Sequence, residues 1–246
     1  MKRSKSTSYR AAAGAILVWL TGSMATLTPA YAAQGAPRIN QASPRLLLIV
    51  EERSAPGAHA RHLELARKCA VDPSAPHAPR RLLAAVSLSG RERIWFVYGY
   101  SDLEPLLAAS VETNGCKYGG NGSEFIESRT STILRFRPGL SRGTRLMPDG
   151  TRYFTARTLM IPTNRLATLE SSFASTIAAD KTDSAGVISY EVIAGGSPHA
   201  VIQLTPLSTA AEAERAAGMN RSQAPSPLAE AADASLDEYF AVIPPR

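Results

Sequence analysis

Charged and aromatic side chains interrupt several strand-like runs of otherwise apolar residues. A charge buried in such a run must be paired or must face a solvated cavity. Tyrosine and tryptophan rings in the same runs would give that cavity an apolar wall with polar tips. The sequence therefore predicts a ligand site within the folded core, lined by Arg157, Glu191, Tyr190, Trp95, Tyr98 and Arg135.

Other roles for these side chains fit the sequence as well. Arg157 is two residues from the apolar Leu159, and Glu191 is two residues from the apolar Ile193. Each charge therefore projects from the same strand face as its apolar neighbour, and one interior could hold both charges as a pair. An ion pair at the rim of a sheet, without any ligand, is the commoner role of such charges. Core packing is likewise the commoner role of the aromatic side chains.

Histidines are candidate metal or haem ligands. His59 and His62 lie three apart in a helical pattern, with Glu64 nearby, so two imidazoles could share a metal ion. A third ligand is not evident, because His77 and His199 are isolated and zinc sites use three or four protein ligands. We therefore expect solvent-facing helix histidines and no metal. The second helix of either half offers no axial histidine for haem, and no cofactor is predicted.

Motifs of nucleophilic catalysis, phosphate binding and nucleic-acid binding are absent from the sequence. It contains no Gly-x-Ser-x-Gly elbow. The glycine cluster at 119–122 opens neither of the known phosphate-binding motifs, so we expect it to form a turn. Basic and aromatic residues alternate only at 135–137, within a strand, so no nucleic-acid partner is predicted.

The N-terminus has the features of an export signal. Basic residues and no acid occupy the first ten positions, Ala11–Leu20 is apolar, and Ala30 and Ala32 put small side chains before a cleavage site. The apolar run of about ten residues is too short for a bilayer, which needs ~20. We expect residues 1–32 to be a signal peptide and the mature protein to be periplasmic or secreted, without membrane contact.

Composition agrees with a globular protein. The 246 residues are 44% apolar and 20% charged, which suits one large core or two modest ones and excludes disorder. The net charge is +6, but four of the 27 basic residues lie in the predicted signal peptide. The remaining basic residues barely outnumber the 21 acidic ones, so a basic partner surface is not implied.

The mature chain repeats one pattern. After a leader at 33–44, residues 45–143 and 144–246 each read strand-helix-strand-strand-helix-strand. Strands are predicted at 46–50, 82–89, 93–100, 130–137, 153–161, 187–194, 200–204 and 238–243, and helices at 57–70, 103–111, 164–179, 207–217 and 227–234. Because the strand at 93–100 is apolar on both sides, both sheet faces must be covered. The halves should pack sheet against sheet, or close into one barrel with helices outside.

A family resemblance is carried by four runs: RIWFVYGYSDLEPL (93–106), ESRTSTILRFRP (127–138), TRYFTARTLMIP (151–162) and ISYEVIAGGSPHAVIQLTPLSTAAE (188–212). They resemble bacterial exported proteins with two fused domains of the dimeric α+β barrel superfamily. The resemblance implies an α+β fold in which tandem ferredoxin-like βαββαβ repeats form an intramolecular dimeric α+β barrel. The superfamily includes antibiotic-biosynthesis monooxygenases and haem-degrading enzymes, so this fold does not determine a function.

Cys69 and Cys116 are the only cysteines. In an exported protein, an even number of cysteines favours a disulfide. The expected topology argues against one, because it puts the two residues at the ends of antiparallel helices and a disulfide needs α-carbons within ~7 Å. Both alternatives stay open.

Three functions are compatible with these observations. We favour an exported protein that binds a small apolar or aromatic molecule in a pocket between the two halves. The resemblance also implies a cofactor-independent monooxygenase-like enzyme, in which a polar group such as Glu191 would take a proton. The third possibility is a non-catalytic interaction protein without a pocket.

Overall fold

The structure is a computed structural model that describes residues 43–69, 80–112, 120–143, 145–162, 164–171, 186–219 and 232–244. The predicted signal peptide, His77 and Cys116 lie outside these ranges, as does most of the leader. Within them, no helix is long and apolar enough to cross a bilayer.

Eight strands and four α-helices make up the described part of the chain. The strands are β1 (Leu46–Ser54), β2 (Arg80–Ser87), β3 (Arg93–Tyr100), β4 (Ile126–Phe136), β5 (Tyr153–Met160), β6 (Ile188–Ala194), β7 (Ala200–Leu207) and β8 (Ala234–Val242). The helices are α1 (His59–Cys69), α2 (Leu103–Glu112), α3 (164–171) and α4 (Ala210–Met219). Short 3-10 turns occupy Gly120–Phe125 and Pro138–Leu140.

All eight predicted strands are present, but β1, β4, β7 and β8 extend beyond their predicted bounds, and β1 continues to Ser54 instead of ending at residue 50. β8 begins at Ala234 instead of residue 238, and residues 232–233 are not helical, so the end of the predicted helix at 227–234 is wrong. The cause is pairing with β5, which continues from Tyr153↔Ala241 to Met160↔Ala234. Backbone hydrogen bonds thus extend the strand into a largely exposed segment of mixed polarity, which lacks the continuous apolar run used to predict the other strands.

The strands close into one antiparallel barrel in the order β1-β3-β2-β8-β5-β7-β6-β4. The first half contributes β4-β1-β3-β2 and the second half contributes β8-β5-β7-β6. Two seams, β2–β8 and β4–β6, join the halves. Of the two arrangements compatible with the sequence, the structure is therefore the barrel, and closure leaves no unpaired sheet edge.

Apolar side chains cover both faces of the barrel wall. Inside, the rings of Trp95, Phe154 and Phe240 pack together: the Phe240 ring centre lies 4.2 Å from that of Trp95 and 5.0 Å from that of Phe154. Outside, one cluster packs beneath α1 and α2, and a second packs beneath α3. β1 and β3 are accordingly buried on both sides, as their uninterrupted apolar runs predict.

The turn between β6 and β7 approaches the neighbouring strand so closely that it requires glycine. Gly195 has φ +74°, and a Cβ at this position would collide with the carbonyl oxygen of Ser131 on β4. We expect Gly195→Ala to lower the free energy of unfolding by about 3 kcal/mol, measured by urea denaturation.

Gly90 in the β2–β3 turn is a matched control. Its φ is +76°, but an added Cβ would meet nothing within 4 Å. Gly90→Ala should therefore cost only the left-handed strain of about 1 kcal/mol. Equal losses in the two variants would contradict the role of the Ser131 contact.

Candidate functional site

One end of the barrel interior is lined by charged, partly exposed side chains. Along β1 the interior side chains Leu47 and Ile49 are buried, whereas Glu51 and Arg53, which follow at the same parity, are partly exposed. Residues 95 and 93 of β3 lie opposite residues 51 and 53 of β1, so Trp95 and Arg93 join them. The charged side chains therefore lie at the end of the barrel where β1 ends and β3 begins.

The second half completes the same end from across a seam. β8 puts Phe240 opposite Ser87 of β2, followed toward the opening by Glu238 and then by Leu236. Phe240 is buried, whereas Leu236 is 58% exposed. We call Glu51, Arg53, Arg93, Trp95, Glu238 and Phe240 the barrel mouth.

Hydrogen bonds and charge pairs hold the mouth together. The Glu51 carboxylate accepts from Arg93 Nη1 at 3.0 Å and from Trp95 Nε1 at 2.8 Å. Arg93 also pairs with Glu238 through Nη2, and its Cζ lies 5.9 Å from the centre of the Phe240 ring. These contacts fix the indole and guanidinium against each other and connect the two halves.

The mouth retains unused hydrogen-bond donors. The Nε atoms of Arg53 and Arg93 are buried and have no hydrogen-bond partner. Leaving a buried donor without a partner costs about 1–3 kcal/mol. A ligand oxygen placed next to the aromatic rings could accept from either group and remove that penalty.

The six residues predicted to line a ligand site occupy three environments. Trp95 and Tyr190 lie inside the barrel, but Tyr98 belongs to the outer cluster beneath α1 and α2. Arg135, Glu191 and Arg157 project from the outer surface. Of the six, only Trp95 belongs to the mouth.

Tyr190 is fully buried near the opposite end of the barrel from the mouth. Its hydroxyl donates to the Pro44 carbonyl at 3.2 Å, and its ring centre lies 5.6 Å from that of Phe136. Burial raises the pKa of Tyr190, so the phenol stays protonated at neutral pH. Its role in the described structure is core packing with one hydrogen bond.

The three predicted charges pair with other residues. Glu191 accepts from Arg135 of β4 and from Arg137, which directly follows β4, each through Nη2 at 2.7 Å, so it bridges the β4–β6 seam. Arg157 donates from Nε to Asp237 at 2.6 Å across β5 and β8. These are the ion pairs that the alternative without a ligand predicts. Glu191 also lines a shallow cleft of about 330 Å³ beside the β6–β7 turn, and a ligand role for these charges stays a prediction.

The expectation that both helix histidines face solvent is wrong for His62, which is 0% exposed. α1 packs on the outer face of β1, and His62 lies on the packed side. There its Nδ1 lies 2.9 Å from Oγ of Ser54, and its Nε2 lies 2.9 Å from Oε2 of Glu52. Among the residues that the structure describes, no group of three or more His, Cys, Asp or Glu side chains could hold a metal ion.

The sequence contains a signal for the polar residues of the mouth and for those that contact His62. In the run 51–54, Glu51 and Arg53 alternate with Glu52 and Ser54 at the end of an apolar strand. Because side chains alternate between the two faces of a strand, Glu51 and Arg53 project into the barrel, whereas Glu52 and Ser54 project toward α1. Cys69 ends α1. Because Cys116 is outside the described ranges, the two alternatives, a disulfide or two free thiols, both stay open.

Comparisons with known proteins show similarity in structure but not in sequence. No protein-family model matches the chain, and no curated protein matches it. A protein from Fusobacterium nucleatum subsp. nucleatum, provisionally named a monooxygenase, superposes with a TM-score of 0.55 at 5% identity, covering 82% of this chain and 93% of that one.

Two other solved structures are similar. A provisionally named monooxygenase from Lactobacillus acidophilus NCFM has a TM-score of 0.51 at 8% identity, over 80% of this chain and 93% of its own. An anthrone oxidase-like protein has a TM-score of 0.50 at 12% identity, over 80% and 90%. At these identities the likeness concerns the fold alone: the chain is an α+β protein with a closed eight-stranded antiparallel barrel.

Proposed function

We propose that the protein binds a small aromatic molecule at the barrel mouth, outside the cytoplasm. The observation that carries this proposal is the combination of Trp95 and Phe240 with the unpartnered Nε donors of Arg53 and Arg93. Concave sites with apolar walls and a few polar groups are typical of small-molecule binding. The aromatic rings would contact the ligand ring, and the arginines would orient an oxygen on it.

Both halves contribute to this site. Trp95 and Arg93 belong to the first half, whereas Phe240 and Glu238 belong to the second. The halves have matching strand orders, which supports the proposal that residues 45–143 and 144–246 are tandem ferredoxin-like repeats. Binding between repeats would explain why the charged contacts of the mouth cross a seam.

A monooxygenase-like activity is the second candidate. It is favoured by the names of the similar structures and by the carboxylate of Glu51, which lies beside Trp95 in the mouth. Cofactor-independent oxygenation needs a substrate that activates oxygen with its own electrons and a group that accepts its proton. Glu51 suits that role better than Glu191, which projects from the outer surface and bridges two arginines.

Tryptophan fluorescence provides a direct test. The sequence contains two tryptophans, and the other one, Trp19, lies in the predicted signal peptide. A protein beginning at residue 33 therefore reports on Trp95 alone. We expect saturable quenching on titration with 1-naphthoate or anthrone, and weakening of naphthoate binding by about tenfold in Arg53→Met, as for the loss of one charged hydrogen bond.

Arg135→Met is the matched control. Arg135 lies on the outer surface, so its replacement should leave binding unchanged. Absence of saturable quenching by either probe, or equal weakening in both variants, would contradict the proposed site. Oxygen consumption with anthrone that is lost in Glu51→Gln, with binding retained, would favour the second candidate.

A further inference from the structure

A chain of polar side chains lies outside the barrel, between α1 and the strands beneath it. Arg129 of β4 donates from Nε to Glu52 Oε1 at 2.8 Å, and Glu52 Oε2 lies 2.9 Å from His62 Nε2. His62 Nδ1 is 2.9 Å from Ser54 Oγ, and His59 Nδ1 is also 2.9 Å from Ser54 Oγ. Glu52 and His62 are 0% exposed and Ser54 is 5% exposed, whereas His59 is partly exposed.

The local sequence brings these groups together. Glu52 and Ser54 project from the outer face of β1, at the parity opposite to the barrel mouth. The chain then turns at Gly57, which has φ +75°, and returns as α1. His59 and His62 are three residues apart, so they lie on adjacent turns of one helix face and both reach Ser54.

The hydrogen positions follow from the chemistry of the groups. The Glu52 carboxylate is bound to Arg129 and accepts hydrogen bonds, so His62 must carry its hydrogen on Nε2. Neutral His62 then has a lone pair on Nδ1 and accepts from the Ser54 hydroxyl. Because that hydroxyl has a single hydrogen, His59 must donate to it from Nδ1. All the donors point in one direction, from His59 through Ser54 and His62 to Glu52.

We propose that this chain is a proton relay between solvent and the buried His62. A proton that binds Nε2 of His59 allows the Nδ1 hydrogen of His59 to move to Ser54 Oγ, while the hydroxyl hydrogen moves to Nδ1 of His62. One proton enters at His59 and one arrives at His62. Ser54 ends as a neutral hydroxyl, and His59 ends as the neutral Nε2–H tautomer.

Charged or titratable side chains from three elements lie near His62. Among the described residues they include Glu52 of β1, Arg129 of β4 behind it, and His59 of α1. Each hydrogen bond along the chain can reverse its direction, so the relay works in both directions.

The same geometry disfavours Ser54 as a nucleophile. Its Oγ is enclosed by two imidazoles, and the nearby backbone donors are occupied: Ser54 N–H donates to the Glu92 carbonyl and Ala55 N–H to the Phe125 carbonyl. An acyl-transfer site needs free donors for an oxyanion at this place. Proton transfer requires only the two imidazole–hydroxyl contacts that are present, His59–Ser54 and Ser54–His62.

NMR of protein labelled with ¹⁵N-histidine tests the relay. Correlations between ring nitrogens and ring protons identify each tautomer, and we expect neutral His62 to be protonated on Nε2 and neutral His59 on Nδ1. Protonation of neutral His62 on Nδ1 would overturn the proposal, because Nδ1 could not then accept from Ser54.

Variants of His59 and Ser54 distinguish proton transfer from a purely structural role of these side chains. In His59→Gln, the amide can still donate to Ser54 but cannot pass on a proton, so exchange of His62 between its neutral and charged forms should slow by roughly tenfold or more. Ser54→Ala should slow it similarly, whereas Ser54→Thr keeps a hydroxyl and should retain the original rate. An unchanged rate in His59→Gln, or equal slowing in the Thr and Ala variants, would overturn the relay.

Discussion

Phe240→Ala is expected to lower the free energy of unfolding by about 3–5 kcal/mol. The Phe240 ring is 0% exposed and lies between Trp95 and the parallel ring of Phe154. Its strand also forms the β2–β8 seam, so the cavity would open where the two halves meet. Urea denaturation followed by far-UV circular dichroism measures the loss.

Leu236→Ala is the matched control for this effect. Leu236 lies on the same strand and projects from the same face, but it is 58% exposed. Its truncation should change stability by no more than about 0.5 kcal/mol. A loss of under about 1 kcal/mol in Phe240→Ala would contradict the tightly packed interior.

Glu52→Ala is expected to have a comparable effect, about 3–5 kcal/mol, although it removes no apolar surface. The carboxylate is 0% exposed and accepts hydrogen bonds from both Arg129 and His62. Without it, the His62 Nε2–H and the Arg129 guanidinium lose a buried acceptor. The midpoint of urea denaturation is again the measurement.

Two further variants test whether the loss of stability in Glu52→Ala comes from the missing buried acceptor. Glu52→Gln keeps an acceptor oxygen of similar shape, so it should retain part of the lost stability. Glu64→Ala removes an exposed carboxylate of α1 that pairs with Arg61 and Lys68, and it should leave the midpoint nearly unchanged. If Glu52→Ala behaved like Glu64→Ala, Glu52 would not be buried in the folded protein.

Much of the secondary structure could be predicted because the strands are short apolar runs between strong turn signals. β3 has an uninterrupted apolar run between the turn at Gly90 and the polar residues that precede α2. β8 could be predicted only in part, because its first residues are exposed and of mixed polarity and are held by pairing with β5. That pairing joins residues about 80 positions apart, which no local pattern encodes.

The site was harder to predict for a related reason. When helices cover one face of a strand and a barrel interior covers the other, both sets of alternate residues are apolar. The alternation of positions along the strand then shows which residues share a face, but it does not show which face lies inside the barrel. Arg157 and Glu191 do share the parity of their apolar neighbours, but that parity belongs to the outer surface. Glu51 and Arg53 are on the interior side.

The sequence by itself determined the local features: eight strands, the helices between them, the repeated order of elements and the need to cover both sheet faces. Tertiary structure alone decided that the sheets close into a barrel, which parity faces inward, and which charges meet across the seams. It also brought His62 of α1 against Glu52 and Ser54 of β1. The physical reason is that apolar periodicity records burial, whereas the partner of a buried polar group depends on strand register and helix docking.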